Sequence, residues 1–258
     1  MRALSCLLLS LALAAGARGQ FDFGKLSKGM DTLKSVGKVA KAATKIGPAE
    51  ERVIGDSVAL EIVGRYGGLV RDEAIMRRVN LVGRALGRYS SRPELDWRFG
   101  VLNSDSVNAF SAPDGYVFIT RGLYDLAESD DALAGILGHE IAHITRRHAL
   151  TIVERGEFIS GATSLVAERS GDARQLEAQL KQFDLGVEKI LTTLCEKGFD
   201  PLTEYDADKE GRSLAVTTGY ASGGLRGVLV LLDRNGGDPH VIFSTHPPLK
   251  ERIKRLPE

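Results

Sequence analysis

The sequence predicts an α+β fold, mostly helical, with a small antiparallel sheet beside one central helix. Three observations lead there. Much of the chain places apolar residues at helical spacing, as in Ile75, Val79, Val82 and Leu86. One region alternates with period two: Leu95, Trp97, Phe99 and Val101 are interleaved with Asp96, Arg98 and Gly100, and Tyr116–Thr120 is another β-rich run. Directly after that region, an apolar, helix-patterned stretch from Asp130 to Leu150 carries Gly138-His139-Glu140-Ile141-Ala142-His143.

The chain has 258 residues, 43% hydrophobic and 26% charged, which suits one ordinary globular domain with a sizeable core. Its 34 basic residues balance 34 acidic ones, so nothing resembles the basic footprint of a nucleic-acid-binding protein. Residues 1–19 read as an export signal. Arg2 is a short basic start, Leu7–Ala15 an apolar stretch too short to span a bilayer, and Ala17-Arg18-Gly19 a small-residue cleavage site. The expected mature start is Gln20, and Cys6 lies too far from the end of the apolar stretch for a lipid attachment site. With the signal removed only Cys195 remains, so no internal disulfide is expected.

Residues 20–47 are Lys-rich, with a thin apolar stripe of Leu26, Met30, Leu33 and Val36. They read as a solvated helix or tether, or as a helix with weak membrane-surface or partner contact. Pro48 opens the main domain, 48–258. Residues 49–65 and 71–88 show helical spacing and are separated by Gly67-Gly68. Strands are expected at 95–101, 107–112 and 116–120, the last two joined by a turn at Pro113-Asp114-Gly115. Ser129 is the expected N-cap of the central helix, with Asp130 and Asp131 at its positive end. Gly135 and Gly138 each cost about 1 kcal/mol of helix propensity, so another backbone is expected to approach closely there.

His139 and His143 are four residues apart, so their side chains lie about 40° apart on one helix face. Two such imidazoles can share one tetrahedral zinc ion, and Glu140, beside that face, can reach a water at the metal. His148 falls about 140° further round a continuous helix from His143, which turns it away from the same ion. A third ligand must come from elsewhere. Glu204 and Asp208, spaced i, i+4 after Asp200-Pro201, offer one carboxylate for the metal and one to orient a ligating histidine. Glu168 and Asp172 have the same spacing, but Gly171 within the pair argues for a helix end there. His246, ahead of Pro247-Pro248 and a final helix with Leu249, Ile253 and Leu256 on one face, has three open roles. It is a packing or capping residue, a donor to a developing oxyanion, or a ligand that displaces water from the metal.

The set His139-Glu140-Ile141-Ala142-His143, Glu204 with Ala207-Asp208 and Gly211, and Ser244-Thr245-His246-Pro247 resembles the HtpX-type zinc metallopeptidases. That family includes the CAAX prenyl protease and a soluble periplasmic branch around the beta-barrel-assembly-enhancing protease. Asn108-Ala109-Phe110 and Pro113-Asp114-Gly115-Tyr116 resemble the segment ahead of its metal helix, with Asp114 where a second Gly is usual. The resemblance covers about residues 50–256. It implies a zincin-like (gluzincin) fold and one Zn2+ held by His139, His143 and Glu204, with Asp208 behind them. It implies endopeptidase activity with Glu140 as base, and Asn108, Ala109 and Phe110 as a sheet edge that pairs with extended substrate. The expected role is that of a zinc endopeptidase of the bacterial cell envelope. It would act in the periplasm on misfolded envelope polypeptides, with peripheral contact to the outer membrane or to envelope proteins. The rival readings are a metal-binding chaperone-like module that rarely cleaves, and a zinc hydrolase acting on non-peptide bonds.

Overall fold

Local signals set most helix starts. In the computed structural model, which describes residues 46–154, 184–234 and 249–257, helix α1 (Pro48–Arg65) begins with Pro in its first turn. The Glu50 carboxylate accepts from the Gly47 N–H at its start. Helix α2 (Glu73–Tyr89) is capped by Asp72, whose carboxylate accepts from the N–H groups of Ala74 and Ile75. After the strands come α3 (Arg121–Leu126), α4 (Asp130–Thr145) and α5 (His148–Glu154). Helical residues 184–192 run into a π-helical turn, Thr193–Lys197. Then follow α6 (Pro201–Thr218), α7 (Gly224–Arg234) and α8 (Leu249–Arg255). The expected signal at 1–19 and nearly all of the Lys-rich segment lie outside the described residues, as do Glu168, Asp172 and His246.

The small sheet is present, beside α4, with strands β1 (Arg98–Leu102), β2 (Ala109–Ala112) and β3 (Tyr116–Thr120) in the order β1-β3-β2. Its pairing corrects the expected all-antiparallel arrangement. β2 and β3 form the antiparallel hairpin, but β1 runs parallel to β3. The cause lies in the link 103–108, which crosses the end of β3 and delivers the chain to the far edge. Thr120, the last residue of β3, donates its hydroxyl to the carbonyls of Ser106 and Asn108 and so pins that crossing. Period-two spacing identifies strands but carries no information about which edge the chain reaches next.

The sheet is buried on both faces, so the half-buried pattern expected for β1 does not hold. Phe99, Val101, Ala109, Val117 and Ile119 join a core with α2 and α4. Leu102, Phe110, Ala112 and Phe118 point the other way, into a core with α1, α5 and residues 187–194. The turn at Pro113-Asp114-Gly115 places both Asp114 (φ 64°) and Gly115 (φ 92°) in the left-handed region. Asp tolerates that conformation better than most side chains, which accounts for its standing where Gly is usual.

Helix α4 is enclosed. Ser129 caps it as expected, accepting from the Ala132 N–H at 3.1 Å. Every residue from Leu133 to Ile144 is buried, with Leu133, Leu137 and Ile141 fully so, each contributing roughly 1.5–3 kcal/mol of burial. Its glycines admit other backbones. A Cβ on Gly135 would lie 2.3 Å from Leu225 N in α7, and one on Gly138 would lie 2.7 Å from the Gly211 carbonyl oxygen in α6. The helix does not run on to Leu150. It ends at Thr145, and Arg147, at φ 59°, turns the chain before α5. Among the described residues no helix is long and apolar enough to cross a membrane.

A candidate metal centre

The sequence of α6 decides what faces α4. Asp200 caps the helix by accepting from the N–H groups of Leu202 and Thr203, and Pro201 occupies its first turn. From that start, Glu204, Ala207, Asp208 and Gly211 fall on one stripe at helical spacing, and all are buried. Gly211 lets the stripe press on α4 opposite Gly138 and His139. The two carboxylates on the stripe are thereby brought to the two histidines of α4.

His139 Nε2 and His143 Nε2 lie 3.1 Å apart. Glu204 Oε2 is 3.4 Å from the first and Glu204 Oε1 is 3.6 Å from the second. All three residues are buried, and their ligand atoms lie within 4.8 Å of one another. Tetrahedral ligands about 2.0–2.1 Å from a zinc ion stand roughly 3.3 Å apart, so the observed triangle has the size that such an ion requires. The electrostatics agree. Burial alone would lower the His139 pKa, but the Asp208 and Glu204 carboxylates outweigh it and raise it to about 9. The pocket therefore favours added positive charge.

The outer nitrogens of both histidines are occupied. His139 Nδ1 is 2.9 Å from Asp208 Oδ1. Asp208 in turn receives two bonds from Arg252 of α8, Nη2 to Oδ1 at 2.6 Å and Nε to Oδ2 at 2.9 Å. Burial acts to raise the Asp208 pKa, yet Arg252 and His139 hold it well below the usual carboxylate range. Arg252 is itself fully buried. The sequence reading missed it, although it stands three residues after Leu249 and four before Leu256, on the stripe that was identified as apolar.

His143 Nδ1 lies 2.9 Å from His148 Nδ1. His148 thus meets the outer nitrogen of His143 and not Nε2, although the helix does not continue to it as expected. The break at Arg147 swings it back, and its ring centroid stands 5.0 Å from that of His143. The positive charge of Arg146-Arg147-His148 suits a helix end, but the run contains no Gly to mark a left-handed turn. The left-handed conformation costs about 1–2 kcal/mol for such a residue. Distant contacts offset it: Arg147 Nη1 reaches Glu51 Oε2 of α1 at 3.0 Å, and Nη2 donates to the Ile46 carbonyl. Phe199, ahead of α6, stacks on the His143 ring at 4.6 Å between centroids.

Glu140 is buried and lines a cleft with His143. Ala109, Phe110 and Ser111 of β2 form one wall of the cleft, and Leu194 and Phe199 belong to the other. Asn108 is buried just before β2. Its side-chain oxygen accepts from the Ala109 N–H at 2.9 Å, and its backbone pairs with Thr120. β2 is the outer strand of the sheet on this side.

Comparison with known proteins agrees with this geometry. The sequence profile of Peptidase family M48 matches residues 73–258. The chain is 25% identical over 231 residues to the beta-barrel assembly-enhancing protease of Escherichia coli, covering 86% of this chain and 46% of that one. It is 25% identical over 231 residues to the metalloprotease YcaL of Escherichia coli, covering 88% and 87%. Against the mitochondrial metalloendopeptidase OMA1 of Schizosaccharomyces pombe it is 28% identical over 183 residues, covering 69% and 51%. The chain thus spans about half the length of the beta-barrel assembly-enhancing protease it matches.

Proposed function

The chain belongs to Peptidase family M48, a family of metallopeptidases, and we propose that it is a zinc-dependent endopeptidase of the bacterial cell envelope. The observation that carries this reading is the buried convergence of His139, His143 and Glu204 beside Glu140 in an open-sided cleft. Two imidazoles and one carboxylate, with outer nitrogens already bonded, make a donor set suited to catalytic zinc. When bound, zinc supplies the Lewis acidity that polarises a peptide carbonyl and acidifies water.

The chain's own residues supply the rest. Glu140 accepts a proton from the attacking water and returns it to the leaving amine, a role that needs a carboxylate and not an amide. Asp208 and Arg252 fix the ring of His139 from behind. β2 offers the rail for substrate. Asn108 pairs with Thr120, so by strand alternation the backbone groups of Ala109 and Ser111 face the open side. Asn108 already holds the Ala109 N–H, which leaves the Ala109 carbonyl and the Ser111 backbone for an extended peptide.

The envelope assignment rests on the export signal read at 1–19 and on the relatives named for beta-barrel assembly. The favoured substrates are unfolded envelope polypeptides, since an open-sided cleft with a strand edge admits an extended chain. The test is Glu140→Gln, assayed with an unfolded protein substrate and by metal analysis. The expected variant keeps its zinc and loses about 10²–10⁴ of its cleavage rate. Cleavage at the wild-type rate would overturn the reading.

A further inference from the structure

We propose that His148 is the positioning residue of His143, and that Glu51 puts it there through Arg147. The inference rests on His143 ligating the metal through Nε2. An imidazole that binds metal at Nε2 carries its proton on Nδ1, and that N–H needs an acceptor to fix the ring. His148 Nδ1 is in hydrogen-bond range of it, at 2.9 Å. His143 therefore donates, and His148 accepts as a neutral imidazole with its own proton on Nε2. The two ligating histidines are held by different chemistry. His139 gives its proton to an ionised carboxylate clamped by Arg252, while His143 gives its proton to an uncharged ring.

The contact depends on a turn that the local sequence does not favour. Had α4 continued, His148 would lie about 140° round the helix from His143. Arg147 reverses that by adopting φ 59°, and its guanidinium is tied to Glu51 and to the Ile46 carbonyl. Glu51 is 1% exposed and is anchored separately by Arg92, at 2.7 Å from Nη1 and 3.2 Å from Nη2. Phe199 closes the arrangement by packing on both rings, so neither imidazole can turn freely. A residue of α1, a segment with no chemistry of its own, thus sets the orientation of a ligand in α4.

The experiment measures zinc affinity of the purified full chain by competition with a chromophoric chelator, and the ligand-field spectrum of the cobalt(II)-loaded protein. His148→Ala removes the acceptor. His148→Asn keeps one, because the Asn side-chain oxygen occupies the place of Nδ1. His148→Ala is expected to weaken zinc binding by about 10-fold to 100-fold and to alter the cobalt spectrum. His148→Asn is expected to recover most of the affinity and the wild-type spectrum. Arg147→Gly relieves the left-handed conformation but severs the tie to Glu51, and is expected to lie between wild type and His148→Ala. Equal weakening by Ala and Asn would reduce His148 to packing and overturn the proposal, as would wild-type affinity in both. His143→Ala separates this from the underlying reading. If it binds zinc as wild type does, His143 is not a ligand; if it loses zinc while His148→Ala does not, only the positioning role fails.

Discussion

Arg252 donates two hydrogen bonds to Asp208, and neither residue is reached by solvent to more than a few per cent. The pair joins the last helix of the chain to the helix that carries Glu204. Removing one member leaves the other as an uncompensated buried charge, which typically costs about 3–5 kcal/mol. Arg252→Ala is therefore expected to destabilise the chain on that scale and to lower zinc content, because Asp208 is then free to leave His139. Denaturant unfolding with and without excess zinc measures both effects. Unchanged stability would mean that another cation already balances Asp208.

The contact between α4 and α6 is close because Gly138 and Gly211 face each other. A Cβ on Gly211 would lie 2.5 Å from the His139 backbone nitrogen, where no side chain can rotate away. Gly211→Ala is expected to force the helices apart, separating Glu204 from the two histidines, and to cost about 1–3 kcal/mol. Gly227 in α7 has nothing within 4 Å of its would-be Cβ, so Gly227→Ala is expected to be neutral or to stabilise by helix propensity. Metal analysis and thermal unfolding of both variants distinguish a packing constraint at Gly211 from a general effect of Gly→Ala.

The elements of this fold were largely legible because they depend on local chemistry. The 3.6-residue spacing of Val79, Val82 and Leu86, the Asp200-Pro201 start of α6 and the Ser129 cap all act within one or two turns. Glu204 and Asp208 were selected by spacing, and the structure sets both against His139. What escaped was non-local. The parallel placement of β1 depends on where residues 103–108 cross, and the turn at Arg147 depends on a carboxylate 96 residues away. Arg252 was concealed differently. Its stripe was identified by Leu249, Ile253 and Leu256, and nothing in the local sequence pairs the arginine beside them with a carboxylate 44 residues away.

Glu51 stands between two guanidinium groups, those of Arg92 and Arg147, while itself almost wholly buried. Its loss would leave both cations in part-buried surroundings and release Ile46 and Arg147 together. Glu51→Ala is expected to destabilise the protein by about 3 kcal/mol, the low end for a broken buried pair, because both arginines retain some solvent. If Glu51 acts through the turn at Arg147, zinc affinity falls in the same variant beyond what stability explains. The check is zinc titration at a temperature where the variant remains folded by circular dichroism.

Asp114 gives a pH signature unconnected with the metal. It sits at the hairpin tip with its side chain only 15% exposed. Burial is the main cause that raises its pKa from 3.8 to about 6, against the opposing pull of Arg98 and Arg52. Because the folded value lies above the unfolded one, the native state holds this proton more tightly. The group therefore favours folding least at neutral pH, and stability falls as pH rises from about 4 to about 6. Asn keeps the tolerance for φ 64° but does not ionise. Asp114→Asn is expected to raise unfolding stability near pH 8 by on the order of 1–2 kcal/mol and to change it little near pH 4. Urea unfolding of both proteins at the two pH values measures the difference. An equal increment at both would assign the gain to backbone preference and remove the Asp114 carboxyl as its cause.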